Sequence, residues 1–217
     1  MKDIPIKISL TDFLGYFFPG LIFVLSIVSF TYSFGLVISF EVNFFVGLIL
    51  LAISYMLGIL SSALISLFRL NEKWDNISES LNQKDLKSFL PEIKSLFKVY
   101  LKKDGEWSNE NYLMIRAAVR ELSPQATEFA ERQNSLRQFK RNSIIPMIFL
   151  CLSGINWGIK FAISNGSIFY LLISIVSLLL SILLPKALKI GMQRNRRLEV
   201  RDYCFSFIHL MKYSHKT

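Results

Sequence analysis

Two histidines, His209 and His215, are the only ones in the chain, and neither has Cys, Asp or Glu at a metal-ligand spacing, so no zinc site is expected. Glu128 and Glu131 in TEFAER lie three residues apart, close enough on a helix for a carboxylate pair, but charges so placed are usually a solvated face or members of ion pairs. There is no glycine-rich phosphate loop, nucleophile elbow or paired-carboxylate motif. The expectation is a protein that is not an enzyme, with no metal and no cofactor. What remains is anion chemistry: Arg137, Lys140 and Arg141 in one stretch, and Arg194, Arg196, Arg197 and Arg201 in RNRRLEVR in another. Such a stripe suits nucleic-acid phosphate, anionic lipid headgroups or an acidic protein. Because acids interleave and both stretches adjoin apolar runs, lipid and protein are the expected partners, and no direct nucleic-acid binding is expected.

The elements that must hold these residues are legible in the hydropathy. The 217 residues are 52% hydrophobic, and the excess sits in blocks. Residues 13–34, 44–68, 143–159 and 168–184 contain no Asp, Glu, Lys or Arg. The first two blocks exceed the roughly 20 residues that cross a hydrocarbon core, and the second two reach that length with a snorkelling Lys160 or a short extension. The first block is read as a retained span and not a signal peptide, because it is longer than an ordinary signal core and a second span follows at once. Cys151 and Cys204 fall in a span and in the tail, which argues against a disulfide.

Charge orients the spans. Residues 69–142 carry fourteen Lys and Arg against eleven Asp and Glu, and the tail from Lys186 carries eight against two. Cations accumulate on the cytoplasmic side, so the amino terminus, the insert and the tail belong there. The organisation expected is a cytosolic stretch over 1–12, a transmembrane hairpin over 13–70, a helical insert over 71–142, a second hairpin over 143–185 and a basic helical tail over 186–217. The fold class is an all-α integral membrane protein, with four transmembrane helices in two hairpins and a cytosolic helical bundle made by insert and tail.

Within the spans, Thr11 and Asp12 suit a helix start, and Pro19–Gly20 implies either an interfacial segment before the span or a kinked continuous helix. Ser54, Gly58, Ser62 and Ser66 recur every four residues and put small side chains on one helix face, a site for close helix packing or oligomer contact. Packing within the chain is the default. Asn156 and Lys160 share a face at the outer end of the third span, where a pore mouth is less expected than a snorkelling lysine.

In the insert, Leu86, Phe89, Leu90, Ile93, Leu96, Phe97 and Tyr100 form a stripe of threes and fours, a packing face opposed by lysines. Gly105 marks a stop, and Tyr112, Ile115, Val119 and Leu122 line a second helix from about Asn109. Ser123 and Pro124 then predict the cap and first turn of a third helix, which has no stop signal before the third span. The fourth span is expected to end at Pro185 and resume as a helical tail with Leu198, Phe205, Ile208 and Met211 on one face.

The sequence LTDFLGYFFPG entering a first span, the approach ELSPQATEFAERQNSLRQFKRN to the third and the basic tail together look like the small four-span membrane proteins of bacterial anti-phage loci. The chain is most similar to the membrane subunit of the Kiwa system. That resemblance implies a non-enzymatic inner-membrane sensor that oligomerises and recruits a soluble, DNA-binding effector. From the residues themselves, a membrane scaffold that docks a cytosolic partner leads, and a channel or pore-forming effector is the alternative.

Overall fold

A computed structural model describes residues 12–36, 43–67, 89–101 and 109–214, and every element among them is helical. A π-helical turn (Phe13–Phe17) leads into α1 (Phe18–Ser33), followed by α2 (Phe44–Leu67), α3 (Leu90–Leu101) and α4 (Asn109–Leu122). A 3-10 turn (Pro124–Thr127) enters α5 (Glu128–Asn142), and α6 (Ile144–Asn165) and α7 (Ile168–Ser214) complete the chain. Four helical stretches are long and apolar enough to cross a membrane: Phe13–Ser33, Phe44–Leu67, Pro124–Asn165 and Ile168–Lys212.

The described residues divide into two compact units, 12–36 and 43–67 with 135–192, and 89–101 and 109–134 with 193–214. Helices α5 and α7 each contribute residues to both. Residues 135–142 and 186–192, read from sequence as part of insert and tail, belong to the spanning unit. Thr11, Leu86 and Gly105 lie outside the described residues, as do the side chains of Phe97 and Tyr100.

In the spanning unit, proline decides local geometry. The amino-terminal helix is continuous through Pro19, because five residues before it adopt the wider π form, with the Phe18 amide bonded to the Phe13 carbonyl. Glycine then sets how closely α1 and α2 approach. A Cβ on Gly20 would strike the Ser54 carbonyl and the Gly58 amide, and a Cβ on Gly58 would strike the backbone of Tyr16. In lipid, where apolar burial gives helices little reason to associate, backbone-to-backbone approach of this kind is a main source of packing. Helices α6 and α7 meet similarly, with Gly154 against Ser177 and Gly158 against Ser174 and the Tyr170 carbonyl. Gly166 ends α6 in the left-handed region at φ 62°. Trp157, Phe161 and Tyr170 cluster near this turn, with Trp157 and Phe161 ring centroids 4.4 Å apart, as an aromatic belt at a membrane edge would.

The second unit has an ordinary aqueous-type core. Ile93 of α3, Tyr112, Ile115 and Val119 of α4, Ala130 of α5, and Val200, Tyr203, Cys204, Phe207, Ile208 and Met211 of α7 are all buried together. The α7 positions step by threes and fours from 200 to 211, which puts them on one face. This face differs from the one expected from sequence: Ile208 and Met211 belong to it, whereas Phe205 is exposed, its ring centroid 4.6 Å from that of Phe89 in an edge-to-face pair. Leu122, expected on the inner face of α4, is also exposed, since α4 ends there. Arg120–Glu131 at 2.9 Å and a Lys212–Glu92 pair stitch the surface.

Two of three helix boundaries differ from the sequence expectation, and the one between α5 and α6 agrees with a third helix that meets no stop before the third span. Ser123 caps nothing with its side chain; its carbonyl accepts the Ala126 amide at 3.1 Å, and Pro124 opens a 3-10 turn whose Thr127 hydroxyl donates to the Pro124 carbonyl at 2.6 Å. Between α5 and α6, Ser143 keeps helical dihedrals, with its amide on the Phe139 carbonyl and its carbonyl accepting the Met147 amide, each at 3.0 Å, so the backbone runs helically from Glu128 to Asn165. Finally, α7 does not end at Pro185 but contains it.

Candidate functional site

Two buried polar clusters stand out, one in each unit. The first is centred on Asn142, the last residue of α5, which has no exposed surface. Its position follows from two prolines. Pro19 has no amide hydrogen to return to the carbonyl four residues earlier, that of Gly15, and Asn142 Nδ2 donates to that oxygen at 2.6 Å. Pro146 likewise leaves the carbonyl of Asn142 without its helical donor, and Ser61 Oγ supplies one at 2.6 Å. Arg141 Nε donates to Asn142 Oδ1 at 3.0 Å, and Arg141 Nη2 donates to Ser62 Oγ at 2.8 Å. A broken helix in lipid is tolerated when neighbouring polar side chains re-satisfy the freed carbonyls, and here each break is met from another helix.

The seam continues along α1 and α6. Ser26 Oγ donates to the Pro146 carbonyl at 2.9 Å, Ser153 Oγ to the Ser26 carbonyl at 3.4 Å, and Asn156 Nδ2 to Ser33 Oγ at 2.8 Å. Asn156, which sequence spacing set beside Lys160 as a pore lining, is thus spent on an interhelical bond. Replacing Asn142 with leucine keeps the volume and strands the Gly15 carbonyl. The expected result is a loss of about 1–2 kcal/mol, read as earlier aggregation on heating in detergent, while Ser164→Ala at an exposed position of α6 leaves the midpoint in place.

The second cluster is centred on Glu199 of α7, also without exposed surface. Arg196 Nη1 meets Glu199 Oε2 at 3.0 Å, Arg116 Nη1 lies 3.8 Å from Oε1, and the Tyr112 hydroxyl donates to Oε1 at 3.2 Å. The guanidinium of Arg196 lies over the Tyr112 ring at 5.3 Å and that of Arg116 over Tyr203 at 5.6 Å, and the two rings meet edge to face at 6.2 Å. Burial, and then the Glu199 carboxylate, push the Tyr112 phenol well above its usual range, so it remains a donor. The carboxylate thus has two guanidinium partners and a phenol around it and no exposed surface.

The residues singled out by sequence divide along these lines. Ser54 and Gly58 are buried against the chain's own α1, whereas Ser62 is half-buried and Ser66 exposed; Ser61 and Ile65 complete the buried face instead, because the helical repeat carries a strict four-residue stripe away from a straight contact line. Arg137 and Arg196 are buried and so are not lipid-facing or partner-facing cations, and Lys140 Nζ donates to the Gly191 carbonyl at 3.3 Å. Arg194 and Arg197 are exposed, and Arg201 is half-buried. Of the insert stripe, Ile93 is wholly buried, and Phe89, Leu90 and Leu96 are partly so. Sequence reasoning passed over Asn142, Ser61, Tyr112 with Glu199, and Pro146; only Pro146 carried a signal, since a proline near the start of a span demands a donor for the carbonyl four residues back.

Cys204, beside this second cluster, is 1% exposed and burial pushes its thiol up to about 12. At pH 8 roughly one thiol in ten thousand is ionised. In a Cys151→Ala background, N-ethylmaleimide is expected to label Cys204 at least about a hundredfold more slowly than in denaturant, as followed by intact mass.

No family model, curated protein or solved structure matches the chain.

Proposed function

We propose that the protein is a non-enzymatic, multi-pass inner-membrane scaffold or sensor whose second unit docks a cytosolic protein partner. The observation that carries this reading is the surface of the unit that does not span. Val99, Leu113, Leu122 and Phe129 are each more than half exposed there, where lipid chains offer no cover. Arg194 and Arg197 of the same unit are also exposed, and their charge would suit an acidic partner. The excess of cations on residues 69–142 and on the tail supports a cytoplasmic placement for both. Oligomerisation and a role in bacterial antiviral defence accompany this reading through the resemblance of the chain to four-span anti-phage proteins. Because Ser54 and Gly58 are covered within the chain, the multimeric pore reading loses the small-residue face that motivated it.

The test is co-purification in detergent with the product of the adjacent gene. Leu113→Glu with Phe129→Glu is expected to lower recovery at least about tenfold, because both sites are exposed and tolerate charge within about 0.5 kcal/mol of fold stability. Recovery unchanged by the pair of substitutions would overturn docking at this surface. The native mass of the solubilised protein separates a monomeric anchor from a multimer.

A further inference from the structure

An open groove of about 410 Å³ runs along α2 in the spanning unit, lined by Tyr16, Tyr55, Ile59, Ser62, Ala63 and Ser66. Its two ends differ chemically. Toward the middle of α2 the wall is Tyr55 and Ile59, and toward the end of α2 it is Ser62 and Ser66. Arg141 Nη2 donates to Ser62 Oγ at 2.8 Å, which places a guanidinium at the wall of the polar end. Tyr16 and Tyr55 meet edge to face, with ring centroids 6.0 Å apart, and line the same groove.

The polar end lies beside the Asn142 cluster. The π turn before α1, the end of α2 and the end of α5 meet there through Gly15, Ser61 and Asn142. Arg141, Lys186 and Lys189 flank that level in sequence, and Asp12 is the only acid among the described residues of the spanning unit. A groove whose apolar end continues into the span, and whose polar end combines hydroxyls with a fixed guanidinium, matches a molecule with an acyl chain and a phosphate head.

We infer that this groove binds an anionic phospholipid, its phosphate at Ser62, Ser66 and Arg141 and an acyl chain along Tyr55 and Ile59. The inference rests on the multi-pass reading proposed above and adds a specific lipid site to it. Detergent-purified protein would be titrated with phosphatidylglycerol or phosphatidylcholine of the same chains, with bound lipid counted by native mass spectrometry. Inorganic phosphate, scored by the melting midpoint, forms a third arm. Wild type is expected to retain phosphatidylglycerol about tenfold better than phosphatidylcholine. Ala63→Phe, which fills the groove from an exposed position, and Arg141→Gln should each remove that preference. Because Arg141→Gln also touches the Asn142 cluster, Ala63→Phe decides the matter, provided that it elutes as a single symmetrical species.

Equal retention of the two lipids, or an undiminished preference in Ala63→Phe, would overturn the site. A midpoint raised as much by inorganic phosphate as by the lipid would replace it with a free-phosphate site. Protein that stays soluble without detergent would overturn the spanning reading and the groove together, whereas a detergent-requiring protein indifferent to headgroup charge overturns the groove alone.

Discussion

Glu199→Ala is expected to lower the stability of the second unit by about 3–5 kcal/mol, because it leaves two guanidinium groups facing each other around an empty buried position. Arg196 is the costlier of the two, since Arg116 retains a fifth of its side-chain surface and can reach water. For a unit of this size the loss corresponds to a midpoint roughly 15–30 °C lower. Cys204 provides the readout: its labelling by N-ethylmaleimide in the Cys151→Ala background begins when the core of α3, α4, α5 and α7 opens. Replacing Glu199 and Arg196 together with leucine removes the uncompensated charge and fills the space, and should recover most of the loss. A midpoint unmoved by Glu199→Ala would mean that the hydrophobic core holds these helices without the ion cluster.

Gly20→Val and Gly58→Val are expected to be the most damaging changes in the spanning unit, each costing about 3 kcal/mol or more. At both positions the obstructing atoms are backbone, of Ser54 opposite Gly20 and of Tyr16 opposite Gly58, and backbone cannot rotate aside as a side chain can. The helices must part, and with them goes the geometry that brings Ser61 and Ser62 to Asn142 and Arg141. Gly47→Ala, in the same helix as Gly58, is the control: a Cβ there meets nothing within 4 Å, and alanine favours a helix over glycine by about 1 kcal/mol. Monodispersity in detergent after graded heating distinguishes the two classes. If Gly58→Val behaves like Gly47→Ala, the crossing of α1 on α2 is not the contact that holds the unit.

The spanning helices were legible because uncharged runs of 17 to 25 residues have few alternatives, and α4 was legible because Tyr112, Ile115 and Val119 repeat at helical spacing. The tail was read less well. Its buried face carries Arg196, Glu199, Tyr203 and Cys204 among apolar residues, and polarity at those positions disguised an inner face as an outer one. Pro185 suggested a break, and Pro19 either an interfacial segment or a kinked continuous helix; the chain remains helical through both, and at Pro19 a π turn and the Asn142 side-chain donor absorb the local defect.

The amino-acid sequence by itself determined the apolar lengths, the charge bias beside them and the helical type of every described element, since hydropathy and side-chain period are properties of neighbours along the chain. Only the tertiary structure decided which polar groups meet. Asn142 reaches Gly15 across 127 positions, Ser61 reaches Asn142 across 81 and Tyr112 reaches Glu199 across 87. Partners so far apart cannot be inferred from spacing. In the spanning unit they are selected by the close approach that Gly20 and Gly58 permit, and in both units by the cost of leaving a polar atom withdrawn from water without a partner in space.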